Sequence, residues 1–461
     1  MNVQREAAGS FPEWEHWQTI RREAAAIWQM CWPIVVTMLV TSLNDTVNAK
    51  AAAMLGAHFQ TAVTVVDQIN FNLVLFLMAL GIGVNAILAR AKGANDVKQC
   101  KFILQNALQL SLVVGALLAS LSALISPYLV NLLVQDPQIR SIAVSYTIFG
   151  AMHLLPYAVI CMLTASMRSL GDAKTPMYGV VLSGLLTCSL SLLIVLVPEL
   201  RNFFGVAGIG LASALGAASG SWVIIRHLRR TEYGTNLRLL GLAPVAFARQ
   251  VFAIGVPAGL QRLSWSLALT MQLAVVAIAH LPDTATTAMT VGLRIMSFAY
   301  LPSWAASFGV AVLVGNALGE GDRHKAFTIG WVTTALATAI TLMLATALYL
   351  SADSLARLMS NDAATVAELG RYLQITALSL PLLGLVNPLT GAMQGAGETR
   401  FAMWSTVFSC WVVRIPLALV LAMLTPLGAL GIWLSINVSV ALNCVLITWK
   451  YQRRSWLDTK I

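Results

Sequence analysis

Apolar residues along this chain of 461 residues come in long unbroken runs, not in the alternation of a half-buried strand. Runs of about 20 residues recur from end to end, each long enough to cross a hydrocarbon layer of roughly 30 Å as a helix. Twelve are read, at 26–50, 62–88, 102–126, 140–165, 176–198, 205–226, 250–279, 285–314, 327–350, 367–392, 401–424 and 428–449, with ends placed to within about four residues. Short polar clusters with Gly, Asp, Asn, Lys and Arg separate them. The pattern predicts an all-α polytopic membrane protein of twelve transmembrane helices, with little chain left for a soluble domain.

Composition agrees, since the chain is 58% hydrophobic and only 10% charged, against roughly 25% charged in ordinary soluble domains. The net charge of +10 could point to nucleic acid, but its distribution does not. The tails and the loops after even-numbered spans hold 21 of the 29 Lys and Arg residues, with Arg90, Lys92, Arg168, Lys174, Arg323 and Arg400 among them. By the positive-inside rule those segments, and both termini, face the cytoplasm. Arg140, Arg201, Arg357, Arg371 and Lys50 fall on the other side, which leaves Arg262, Arg294 and Arg414 within spans.

Six cysteines lie singly in or beside apolar runs and read as reduced packing residues. His153 is the one histidine inside a span, so no convergent catalytic or metal-ligating set is expected and the chain reads as neither an enzyme nor a cofactor protein. The start mixes both charge signs and reads as a short interfacial helix over SFPEWEHWQTIRR rather than a cleavable leader.

The runs also repeat. GVNAILARAKGAND (83–96) lies over GVAVLVGNALGEGD (309–322), and MRSLGDAKTPM (167–177) over MQGAGETRFAM (393–403), both at a displacement of 226 residues. The chain is therefore a duplicated six-helix unit. Six is even, so the halves share one orientation and their pseudo-twofold axis runs along the membrane normal. The expected organisation is an N-terminal segment 1–25, an N-lobe 26–225, a linker 226–249, a C-lobe 250–449 and a tail 450–461. The Gly-acid turns of the repeat read as structure: Gly for a left-handed C-cap, the acid to cap the next helix.

Two acids stand inside apolar spans. Asp45, in TSLNDTVNAK, has Asn44 and Asn48 beside it, and Asp67 lies at similar depth in the antiparallel second span. Burying an ion costs several kcal/mol unless it pairs, faces water or is neutralised, so Asp45, Asn44, Asn48 and Asp67 form the candidate cation-coupling set. Asn70 extends that polar stripe. Arg262 and Arg294 sit too deep to reach an interface, and Met296 belongs to a soft Met and aromatic set of the kind that suits an adaptable cavity. These three join Asn70 as candidate cavity residues.

On the paired MALGIGVNAILARAKGAND and SFGVAVLVGNALGEGD turns, on SMRSLGDAKTP and AMQGAGETR, and on VVRIPLALVL, the chain resembles the multidrug and toxic compound extrusion (MATE) family over about residues 24–449. The resemblance implies twelve helices in two V-shaped lobes and export, often of cationic amphipathic compounds, driven by a sodium or proton gradient. The family's first helix carries an Asp about fifteen residues after a Pro and eight before a Gly. Counted from Pro33 and from Gly56, that place belongs to Asn48, and Asp45 lies one turn earlier. Thr187 and Ser191 stand where one branch resembles an Asn and Asp pair. Gln261, Ser264 and Trp265 lie around another branch's Glu, and the tenth span offers Gln374 and Asn387 without an acid. Gln261, Trp265 and Asn387 complete the candidate cavity.

The sequence thus reads as a monomeric, secondary active exporter of the bacterial inner membrane. It would antiport small amphipathic compounds, drugs or toxins, against inward H+ or Na+, with membrane lipid as its surroundings, no nucleic-acid partner and no cofactor. A lipid-linked precursor flippase, or an exporter of a neutral or anionic metabolite, is the alternative on the same fold.

Overall fold

The computed structural model describes residues 13–235 and 241–459, with side chains from Glu23 onward except Leu133. Residues 1–12, and the side chains of the expected interfacial helix up to residue 22, lie outside the described residues. The long helices are α1 (Glu13–Leu55), α2 (Ala57–Gly93), α3 (Val97–Leu133), α4 (Pro137–Ser169), α5 (Lys174–Leu196), α6 (Ala207–Leu228), α7 (Val245–Ile278), α8 (Asp283–Gly319) and α9 (Arg323–Met359). They continue with α10, in two segments (Ala363–Ala377 and Ser379–Gly395), α11 (Arg400–Met423) and α12 (Ala429–Gln452).

Ten of these helices are long and apolar enough to cross a membrane, and the bent α10 pair makes an eleventh. The twelfth expected span, α7, has the length, at 34 residues, but Gln261, Arg262, Ser264, Ser266 and Gln272 dilute its apolar run. Its polarity marks a helix that packs against protein and a polar space. The 41° bend in α10 follows from Pro381, which has no N–H to donate to the Ala377 carbonyl one turn back. In α11 the stretch Phe408–Arg414 is π-helical, ending on the RIP motif.

Acids cap the helices as expected. Asp96 accepts from the Gln99 backbone N–H (2.9 Å), Asp322 from Lys325 (2.8 Å) and Asp172 from Lys174 and Thr175 (both 3.0 Å). The glycines divide differently from the expectation. Gly171, Gly321 and Gly397 take the left-handed turn, and Asn95 takes it between α2 and α3. Gly93 and Gly319 are still helical, and their role is to let two helices touch.

Helices α1–α6 and α7–α12 pack into two lobes, and the core of the first also takes in Phe247, Val251 and Ile254 from the start of α7. Leu80, Leu104, Leu108 and Leu163 are buried in the first, and Met289, Tyr372, Leu373 and Trp433 in the second. Among the described residues the glycine, core and hydrogen-bond contacts between the lobes lie toward the end that carries the basic turns. There α2 crosses α8. A Cβ on Gly93 would collide with the Asn316 carbonyl, and one on Gly319 with the Arg90 carbonyl. Since 93 and 319, and 90 and 316, are repeat mates, this crossing lies on the pseudo-twofold axis. Further along, Gly83 abuts Val251 and Gly309 abuts Cys31, while Met30, Ile34 and Ala173 cluster with Ala305 and Val312 across the lobes. Arg90 adds a hydrogen bond from Nη2 to the Ala396 carbonyl, 3.1 Å.

Toward the far end no hydrogen bond, ion pair or core cluster joins the lobes among the described residues. The halves splay into a cleft closed at the basic end. The described start of the linker, up to Thr235, is held on the N-lobe by Lys92 Nζ donating to the Tyr233 hydroxyl (2.6 Å) and Lys101 Nζ to Thr235 (3.0 Å).

The crossing makes a direct prediction. Gly93→Ala or Gly319→Ala inserts a methyl group against backbone that cannot yield, and should lower stability in detergent by about 1–3 kcal/mol in thermal unfolding. Gly171→Ala, where a Cβ meets nothing within 4 Å, should cost only the left-handed backbone strain of about 1 kcal/mol.

Candidate functional site: a cleft between the lobes

The lobe contacts say which helix faces line the cleft. On α1, Ile34 and Met38 pack toward the C-lobe at the basic end. About three turns further along the same face comes Asp45, whose side chain is exposed. On α8, Ala305, Phe308 and Val312 face the N-lobe, and the same face continues into exposed Phe298, Arg294, Thr290 and Thr287. Polar side chains exposed there belong to a wet wall, not to lipid. On α2, the face that touches Gly255 and Gly259 through Ala79 continues into Asn72 and Gln68.

Asp67 is exposed and accepts a hydrogen bond from the Tyr146 hydroxyl, 3.2 Å. It lies within electrostatic reach of Asp45, and Asp45 in turn lies within reach of Tyr157 and Cys188. The two acids therefore share one region on the N-lobe wall. Asn44 and Asn48 turn toward α5 and α6. Cys188 donates to Asn44 Oδ1 (3.3 Å), Ser191 donates to Asn48 Oδ1 (3.0 Å), and Asn48 Nδ2 donates to Ser213 (3.4 Å). Asn48 and Ser191, both at places where the MATE resemblance has acids, thus satisfy each other as neutral groups. Among the described residues no group of His, Cys, Asp and Glu is arranged to hold a metal ion.

The other expected cavity residues separate into three environments. Asn70 is buried between α2, α3 and α4, where it accepts from Ser122 (2.7 Å), and Met296 is fully buried in the C-lobe core. Inside the C-lobe, Gln261 donates to Thr406 (3.0 Å) and accepts from Gln394 (3.0 Å), while Asn387 donates to Ser303 (2.8 Å). Trp265 packs edge-on against Tyr300 and Trp304, at 6.4 and 5.8 Å between centroids. Arg262 and Arg294 are the two that face the cleft. Arg414 is buried, donating Nε–H to Ser439 at 2.7 Å.

The apex of the cleft was not legible beforehand. Arg168, counted from sequence with a cytoplasmic turn, folds inward so that its guanidinium lies 5.4 Å from the Phe308 ring centroid. Arg262 approaches the same ring at 4.9 Å from the opposite lobe's partner helix, α7. Tyr157, Cys161 and Arg168 recur at helical spacing on α4, leading from the acids to this apex. The signals available in the sequence were that spacing and the stripe Arg294, Phe298, Ala305, Phe308, Val312, neither of which declares what it faces.

Two parallel-oriented helical lobes about one polar cleft are the architecture of a membrane transporter. The MatE family profile matches residues 33–193 and again 261–420, and the chain belongs to the MATE family of transporters. It is 22% identical over 455 residues to the probable multidrug resistance protein YoeA of Bacillus subtilis, covering 94% of this chain and 95% of that one. To the probable multidrug resistance protein NorM of Thermotoga maritima it is 24% identical, over 85% of each chain. Among solved structures, an outward-facing MATE transporter of the MOP superfamily superposes with a TM-score of 0.86 at 22% identity, over 94% of this chain and 96% of that one.

The C-lobe network can be checked on its own. Gln261→Leu removes the acceptor of Gln394 and the donor to Thr406, and both partners are buried. Stability measured by thermal unfolding should fall by roughly 1–3 kcal/mol, the cost of stranded buried polar groups.

Proposed function

We propose that this transporter is a cation-coupled exporter of amphipathic compounds in the bacterial inner membrane, with both termini cytoplasmic. The observation that carries the proposal is the cleft: sealed at the end with the basic turns, open at the other, with Asp45 and Asp67 on its N-lobe wall. If the basic end faces the cytoplasm, as its Lys and Arg content argues, the conformation described is the one open to the outside. Its relatives bear multidrug resistance names, which supports a broad range of apolar or amphipathic substrates.

The chemistry asked of the acids is modest. A carboxyl group at the wall of a wet cleft can take up a proton or hold Na+ while the cleft is open and release it after the lobes rock. Binding there and substrate binding need only favour opposite states for one gradient to drive the other. Asn44 and Asn48 flank Asp45, and each amide oxygen, with one lone pair used by Cys188 or Ser191, keeps a second of the hard type cations accept. With Asn48 uncharged, Asp45 carries the charge that the family pattern places one turn later.

The test is reconstitution in liposomes, with flux of an amphipathic dye measured under proton and sodium gradients imposed separately. Asp45→Asn should lower gradient-driven flux by about tenfold or more, corresponding to ~1.4 kcal/mol. Undiminished coupling in Asp45→Asn would overturn the role of this residue. Because Asp45 and Asp67 feel each other, Asp45→Asn and Asp67→Asn should be non-additive by about 0.5–3 kcal/mol in a double-mutant cycle on cation dependence. Asn48→Asp, which adds a second carboxylate a turn away, should change the cation dependence without abolishing flux.

A further inference from the structure

We propose that the apex of the cleft is an anion-receptive subsite formed by Arg168 and Arg262 on Phe308, and that the exported amphipath carries an anionic group, a carboxylate, sulfonate or phosphate. The proposal rests on the exporter reading and names its substrate class.

Three observations support it. First, the charges at the apex are unbalanced. Arg168 comes from α4 of the N-lobe and Arg262 from α7 of the C-lobe, yet both use one ring, at 5.4 and 4.9 Å. Among the described residues neither is in a salt bridge with a carboxylate. Arginine does not shed its proton, so the charge persists. The attraction of a ring face for a cation is smaller than the cost of desolvating the guanidinium that makes it.

Second, hydrogen-bonding capacity is left over. Arg168 spends Nε–H on the Thr164 carbonyl, 3.1 Å away. The buried Nε of Arg262 has no partner. A guanidinium with its fork free and its neighbour's charge alongside is suited to bidentate capture of a planar or tetrahedral oxyanion. Third, the position suits a ligand rather than packing. Arg262 sits about one turn beyond Gly259, where α7 touches Ala79 and Phe76 of α2, and so lies at the edge of that contact between the lobes. Arg294, exposed on the α8 face that looks across the cleft, adds a third cation on the way in.

The acids lie on the N-lobe wall toward the mouth, and the arginines at the base. An amphipath would enter with its anionic group at the apex and its apolar body against Phe298 and Phe308. The internal repeat also supplies the least disruptive probe: Gln394 is the mate of Arg168 at the displacement of 226, so Arg168→Gln places there a side chain that the fold accepts in the other half.

The experiment uses full-length protein in phosphatidylcholine vesicles, with carboxyfluorescein as the anionic probe, ethidium as the cationic one and headgroup-accessible NBD-labelled phosphatidylglycerol as the lipid one. Carboxyfluorescein or the labelled lipid should be moved by the wild type. That flux should drop at least about tenfold in Arg168→Gln and in Arg262→Gln, the scale of one lost charge-assisted hydrogen bond. Arg323→Gln, a basic residue paired on the surface with Asp458, should change nothing. Lipid flux alone identifies a headgroup as the source of the anion, and dye flux a soluble compound. Binding of carboxyfluorescein to purified protein, read by fluorescence polarisation with folding checked by size-exclusion elution, should weaken in parallel, and Arg262→Lys should retain part of it. Gradient-driven ethidium flux with no arginine-dependent binding or flux of either anionic probe overturns this inference and leaves the exporter reading intact. Arginine-dependent anion binding with no gradient-dependent flux of any probe overturns the exporter reading instead.

Discussion

The close approach of α2 and α8 at Gly93 and Gly319 is the constraint on which the rest of this structure depends. Without a Cβ on either residue the helices meet backbone to backbone, and each glycine receives a carbonyl from its mate's helix. The contact lies on the pseudo-twofold axis because the chain is a duplication. It closes one end of the bundle, and among the described residues no hydrogen bond, ion pair or core cluster closes the other. Membrane helices gain little from burying apolar surface against each other, so close packing of small residues decides which faces meet. Here it decides where the cleft lies, and therefore which polar residues of α1, α2, α7 and α8 reach water.

The charges in the cleft follow from that geometry. Asp45 and Asp67 sit where the N-lobe wall is open, and Arg168 and Arg262 sit where the lobes converge. Neither group neutralises the other directly, since no ion pair joins them among the described residues. A transporter gains from such a separation, because ligands must complete its charge balance in one state and leave it in another. The neutral Asn48, Ser191 and Ser213 cluster beside Asp45 is a satisfied hydrogen-bonded network that holds α1 against α5 and α6.

Much of the fold was legible from pattern alone, for reasons that can be named. Hydrocarbon crossing demands runs of about 20 apolar residues, and a helix is the one local way to satisfy their backbone. The duplication showed in the Gly-acid turns because those turns need particular residues. What pattern missed had a common cause. Arg168 lies two residues from a Gly turn and counts as a loop residue in sequence, yet its side chain folds back between the lobes. Asn70 and Met296 looked like cavity residues and are buried inside their own lobes, since hydropathy does not tell an inward face from a cleft face. Gly93 and Gly319 looked like caps because glycine serves both turns and close approach.

The sequence by itself determined the apolar spans and their order, the two-lobed duplication, the basic turns and the presence of acids and arginines inside apolar runs, though the helices extend well beyond the apolar runs, as in Glu13–Leu55 for the run 26–50. Each of these is a property of one segment or of its match to another, and so is written in order along the chain. Only the tertiary structure decided which of those residues share a space: Asp45 with Asp67, Asn48 with Ser191, and Arg168 with Arg262 across a single phenylalanine. Those meetings depend on helix rotation and lobe tilt, set by side-chain and glycine contacts between segments more than a hundred residues apart.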